Sequence, residues 1–299
     1  DGSKGEVLEY EIRWNGILEP DAPCSTFVEF SGSRDGCFDI DGGLRILKVA
    51  ALPTGPYVLG LASSGATGGL WVYEPGVDVF FRNLLCLQGE IFWGMDRSPD
   101  GDIWITDAVQ LVHFNPSVNP PVLEIFGQRV VVDELQLTLP YDVAIDPASS
   151  PPSVYLAAYT VATSSGIVRR FTPSAPAGQR VQTILQLPTG SVLNRILVDP
   201  DGWIAGAGDD GLIRFNPNGP VPVSFASVER FNTTVPSDLG GLLGTRSTFP
   251  QGLALDTDGN FLVTTATYFI EDYGHPLALP QRYTVIHSIL QVDRGAGTV

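Results

Sequence analysis

Apolar residues along this chain gather in short runs rich in Val, Ile, Leu, Phe and Trp, each bounded by Gly, Pro, Asp or Asn. No stretch sustains the i, i+3, i+4, i+7 spacing of an amphipathic helix, so the pattern predicts strands and turns from end to end. The clearest segment runs from Asn194 to Gly206 and resumes from Gly211 to Pro217. It reads as strand, Asp-Pro-Asp-Gly turn, strand, short loop, strand.

The same order recurs. Gly252 to Val263 gives two strands around Asp256-Thr257-Asp258-Gly259, with Ser288 to Asp293 as a delayed third strand. Another copy runs from Trp93 through Ser98-Pro99-Asp100-Gly101 to Pro116. Looser copies start at Tyr141 and at Leu44, with third strands at Gly166–Pro173 and Gly69–Pro75. Third strands end on Tyr73, Phe114, Phe171 and Phe215, at intervals of about 40 to 60 residues, the size of a propeller blade. Gly5 to Tyr10 resembles a third strand without its first two. A unit of three or four strands has two faces to bury and cannot do so alone, so successive units are expected to stack radially. The expected fold is therefore all-β: a β-propeller of antiparallel blades, six in number, with five as the alternative. Residues 1–43 are expected to supply a closing strand and a cysteine-containing loop, and 44–299 the propeller, as one domain.

The repeat resembles NHL-repeat propellers and, more loosely, the gluconolactonase and senescence-marker class, over about residues 44 to 293. The resemblance implies architecture and says little about chemistry, because the shared residues are strand and turn residues. In such propellers the residue just before the Gly-Leu-Ala motif of the first strand sits at the mouth of the central channel, and here that set is Trp93, Tyr141, Asn194 and Gln251. The gluconolactonase-like class would bind a divalent metal there through Glu, Asn and Asp, because hard cations need oxygen ligands. Asn194 matches, Gln251 replaces the Asp, and no Glu-Gly-Pro segment supplies the Glu. No cofactor or metal is expected, a divalent cation being the one open case.

The pairs Asp100/Asp102, Asp199/Asp201 and Asp256/Asp258 resemble metal ligands but carry the spacing of tight turns, where Asp bonds backbone amides and Gly accepts positive φ. Of the three histidines, His113 and His287 fall within strands and His275 in a loop, which makes His275 the candidate catalytic base. Long loops are expected at 232–251 and 265–275, and Tyr268 and Tyr273 join the channel-mouth aromatics as candidate ligand contacts, although these rings would equally serve as packing between blades. No Gly-x-Ser-x-Gly, His-Glu-x-x-His, Cys-x-x-Cys or phosphate-binding Gly loop is present.

Composition narrows the partners. The 299 residues carry a formal charge of -16, and Lys4 and Lys48 are the only lysines, so nucleic acid is excluded on electrostatic grounds. No run reaches the roughly 18 apolar residues of a membrane-spanning helix. Cys24 and Cys37 flank a hairpin-like segment and are a candidate disulfide, Cys86 reads as a buried thiol, and Asn232 heads the one acceptable glycosylation sequon. The chain starts Asp1-Gly2-Ser3, which suits a processed mature protein, an excised domain or a scar of expression. The expected place is extracellular or periplasmic. The expected function is non-enzymatic binding of protein or glycan, with self-assembly through the N-terminal strand as an extension. The alternative is a propeller hydrolase or lyase at the channel mouth, using Asn194, Gln251 and His275.

Overall fold

The computed structural model describes residues 45–51, 58–64, 67–74, 80–88, 92–107, 110–115, 122–126, 138–176, 178–231, 233, 244–271 and 282–295. Their regular elements are strands, apart from a 3-10 turn at Phe225–Ser227. Arg45–Ala51 (β1), Val58–Ser64 (β2), Thr67–Glu74 (β3) and Phe80–Gln88 (β4) form the first sheet in chain order. Phe92–Arg97 (β5), Ile103–Asp107 (β6), Leu111–Asn115 (β7) and Val122–Phe126 (β8) form the second. Thr138–Asp146 (β9), Ser153–Thr160 (β10), Ser165–Phe171 (β11) and Val181–Thr189 (β12) form the third. Leu193–Val198 (β13), Ile204–Gly208 (β14), Gly211–Phe215 (β15) and Glu229–Phe231 (β16) form the fourth, and Gly244–Leu255 (β17), Phe261–Glu271 (β18) and Arg282–Val292 (β19) a three-stranded fifth. The all-β reading holds, and antiparallel sheets of three or four strands are consistent with a propeller-like fold. No helix among the described residues is long and apolar enough to cross a membrane.

Burial follows strand position. The second strands β6 and β14 are buried at every residue, because both of their faces are covered. Fourth strands turn outward: Val122, Leu123 and Glu124 on β8, and Glu229 and Arg230 on β16, are exposed. That is the polar and apolar mixture an outer strand needs.

Two compact units divide the chain, one of Asp1–Glu11, Thr163–Arg169 and Thr183–Val299, the other of Ile12–Ala162 and Arg170–Gln182. In the second unit Trp104 and Phe126 from the β5–β8 sheet meet Phe171, with Trp104 stacked on Phe126 at 6.2 Å and Phe126 edge-on to Phe171 at 4.9 Å. Val143, Ile145, Val154 and Leu156 close that core. In the first unit Ala205, Leu212 and Phe231 of the fourth sheet pack against Phe261, Val263, Leu290 and Val292 of the fifth. Each fully buried side chain of this size contributes roughly 1.5–3 kcal/mol.

The long loops expected at 232–251 and 265–275 are corrected in part. Residues from Gly244 to Gln251 extend β17, and Thr265 to Glu271 extend β18, paired from Gly244 with Glu271 to Pro250 with Thr265. The physical reason is composition: Thr, Tyr, Phe and Ile dominate Thr264 to Ile270 and favour extended pairing. The third strand of this sheet starts at Arg282, well before Ser288. Residues 1–43, Cys24, Cys37, Asn232, Tyr273 and His275 lie outside the described residues.

Candidate functional site

One feature repeats in all five sheets. The first strand slips its register by one residue at Leu47, Trp93, Tyr141, Asn194 and Gln251. A β-bulge of this kind leaves one residue without a cross-strand partner, bends the strand and re-aims the side chain. The four channel-mouth positions aligned from sequence are thus the bulge residues of four successive first strands. Leu47 is the fifth, a position that the sequence alignment did not include.

The second unit brings two of these residues together. Trp93 and Tyr141 meet nearly perpendicular, ring centroids 6.3 Å apart at 81°. Trp93 keeps 38% of its surface open and Tyr141 is half-buried. Two local devices fix them. Gly94 lies so close to the next bulge that a Cβ on it would stand 2.6 Å from Asp142 Cα. Three residues past Trp93, Asp96 Oδ2 accepts the amide of Ile145 at 2.8 Å and ties β5 to β9. At the end of β6, opposite Phe92, the buried Asp107 accepts both the backbone amide and the side-chain amide of Gln110 at 2.8 Å.

In the first unit Asn194 is half-buried, and its carbonyl accepts from Arg195 Nη1 at 2.9 Å. Gly208 lies opposite Leu193, where a Cβ would come within 2.8 Å of Leu193 Cα. The adjoining Asp209 was not singled out from sequence. Burial pushes its carboxyl up, a hydrogen bond from the Val192 backbone opposes this, and the Asp210 charge adds to the rise. Gln251 occupies its bulge between Pro250 and Gly252, and Tyr268 pairs with Ser247 along the β17–β18 ladder.

At the opposite, turn end of the strands the Asp pairs close hairpins. Asp199 Oδ1 accepts from Asp201 N at 2.9 Å and Trp203 N at 3.0 Å, and Asp256 Oδ1 accepts from Asp258 N at 2.9 Å and Asn260 N at 2.8 Å. Gly202 and Gly259 take φ of 76° and 82° in these turns, as the hairpin geometry demands. The residue before the end of the third strand reaches back to the same turn. Arg214 Nε donates to Asp199 Oδ2 at 2.6 Å, Gln291 Nε2 donates to Asp256 Oδ2 at 2.6 Å, and His113 Nε2 faces Asp102 Oδ2 at 2.7 Å.

Arg214 also donates to Asp201 at 2.6 Å and Glu229 at 3.1 Å, and its guanidinium lies 4.5 Å from the Trp203 ring centroid. Burial alone would lower its pKa, but Asp199 and Glu229 together raise it. A recess of about 620 Å³ opens beside it, lined by the carboxylates of Asp201, Glu229, Asp258 and Asp293 and by Arg214, Arg230 and Arg294.

The Asp256 carboxyl yields a pH prediction. Desolvation pushes it up, but the amides of Asn260 and Asp258 and the side chains of Gln291 and Asn260 outweigh this and hold it below the usual carboxylate range. A depressed carboxyl stabilises the fold above its unfolded pKa of about 3.9, and that contribution is lost as pH falls through the lower folded value. Urea midpoints should therefore favour the natural chain over Asp256→Asn at pH 7. The gap should close in the acid range below pH 4, and a gap independent of pH would contradict the assignment.

Among the described residues no three His, Cys, Asp or Glu come together in a way that would hold a metal ion. No family model matches the chain, and no curated protein matches it. Solved structures do resemble it. A Bacteroides caccae protein of unknown function shares 16% identity, over 86% of this chain and 80% of that one, with a TM-score of 0.49. The extracellular domain assigned to a hybrid two-component system of B. thetaiotaomicron shares 16% identity over 79% of this chain but 29% of that one, with a TM-score of 0.43. A Lactobacillus plantarum protein shares 11% identity, over 83% of this chain and 71% of that one, with a TM-score of 0.44. None of these likenesses assigns a function.

Proposed function

We propose that this chain is a β-propeller that works outside the cytoplasm as a non-enzymatic binding module, with the bulges of β5 and β9 in the second unit as the binding face and a protein or glycan as the ligand. Each sheet is then one blade; six is the expected count and five the alternative. The observation that carries the reading is the placement of an exposed Trp93 against Tyr141 on neighbouring bulges of one unit. Bulges are used in β-proteins to re-aim side chains next to binding sites, and a repeat that bulges at one register in every sheet offers an equivalent position from each. Aromatic rings combine apolar contact with defined geometry, which suits recognition more than bond-making.

The intact chain and Trp93→Ala should be compared on an arrayed glycan panel and against a displayed random-peptide library. The expected result is binding to members of one class, weakened about tenfold or more in the variant, equivalent to about 1.4 kcal/mol or more. Binding to neither class, or binding that ignores the substitution, sinks the reading.

A further inference from the structure

Resting on that reading, we propose that Trp93 and Tyr141 form a stacking subsite for a neutral pyranose glycan. Among the residues whose side chains are described, Trp93 is the one indole or phenyl ring in the exposed class. The other exposed large apolar side chains are aliphatic and lie elsewhere: Val122 and Leu123 on β8, Val161 after β10, Val221 before the 3-10 turn and Ile289 on β19. A stable protein interface needs about 800 Å² on each partner with an apolar centre, which one partly open indole does not supply. A sugar needs much less. The C–H groups on one face of a pyranose carry partial positive charge and pack on the electron-rich face of an indole, so one ring suffices for one sugar unit.

The ring is also held in advance. Tyr141 stands against it at 81°, and the Gly94–Asp142 approach and the Asp96–Ile145 hydrogen bond fix the two bulges that carry the rings. A ligand that stacks there meets rings already set in place, and this offsets the small contact area of a sugar. Charge selects among glycans. At a formal charge of -16 the chain repels uronate and sulfated polymers, which leaves neutral chains.

The test is titration of the full chain with β-1,4-linked glucose, xylose and mannose hexasaccharides, with polygalacturonate and heparin as anionic controls, followed by calorimetry and Trp fluorescence. At least one neutral hexasaccharide should bind and the anionic polymers should not. Trp93→Ala should weaken binding about tenfold or more, while Trp93→Phe, which keeps a smaller ring, should lose less. Near-ultraviolet circular dichroism and urea midpoints of the variants check that the fold is kept.

The proposal is overturned if no neutral glycan binds, if the anionic polymers bind better, or if Trp93→Ala binds like the natural chain. Should glycans fail while displayed peptides bind in a Trp93-dependent way, the glycan assignment falls and the binding-module reading stands. Should both fail, the binding-module reading falls with it.

Discussion

Arg214→Met is expected to lower the free energy of unfolding by about 3–5 kcal/mol, measured by urea denaturation at neutral pH. The guanidinium is nearly buried, with 9% of its side chain exposed, and one of its three carboxylate partners, Asp199, has 0% exposure. Removing it leaves the Asp199 charge in a site that water does not reach, and the cost of an uncompensated buried charge exceeds that of a lost contact. Asp201 and Glu229, at 53% and 45% exposure, can be rehydrated and add little. Arg214→Lys should recover part of the loss, because one ammonium cannot replace a fork that donates in three directions. The double variant Asp199→Asn/Arg214→Met should be more stable than the sum of the two single losses predicts. Strict additivity, or a loss in Arg214→Met below about 1 kcal/mol, would mean that the pair is not the anchor described here.

Gly94→Ala is the second large effect, and it acts through backbone. The added methyl would stand 2.6 Å from Asp142 Cα and 2.9 Å from Thr106 Oγ1. A side-chain tip can rotate away, but a neighbouring Cα moves only with its strand, so the two bulges must separate. Overpacking of this kind costs about 1–3 kcal/mol, readable as a lower urea midpoint. The same separation pulls Tyr141 from Trp93. The near-ultraviolet dichroism of the ring pair should change, and glycan affinity should fall although Gly94 touches no ligand. An Ala variant as stable as the natural chain, with its aromatic signal intact, would refute the close approach.

What the sequence revealed and what it hid follow from the distance over which each feature is determined. The Asp-x-Asp-Gly turns were legible because the bonds that close them are local: Asp199 and Asp256 cap amides two and four residues ahead, and Gly202 and Gly259 supply the positive φ. The repeated order of strand, turn and strand set the alignment that placed Trp93, Tyr141, Asn194 and Gln251 at one position. That this position is a bulge was not legible, since a register slip belongs to two strands at once. The pairing of Arg214, Gln291 and His113 with the turns was hidden for a related reason. They do equivalent work with unlike side chains, and each has its partner on another strand of the sheet. The fourth strands β4, β8, β12 and β16 carry no turn signature of their own and declare themselves only by pairing. Pairing in the β17–β18 extension continues past Pro250 and Gly252, which mark the start of the strand expected from sequence.

The bulges carry an evolutionary consequence. A residue on a regular strand is constrained twice, by its cross-strand neighbour and by whatever it meets in solution. A bulge residue has no cross-strand neighbour, so its identity is released from the demands of pairing. The five positions hold Leu47, Trp93, Tyr141, Asn194 and Gln251, a range from aliphatic to amide that no single ladder position would tolerate so readily. The bulge residue can therefore change while the turns and cores that hold the sheets keep their own sequence, so what the bulge presents and what keeps the sheet folded become separately heritable traits.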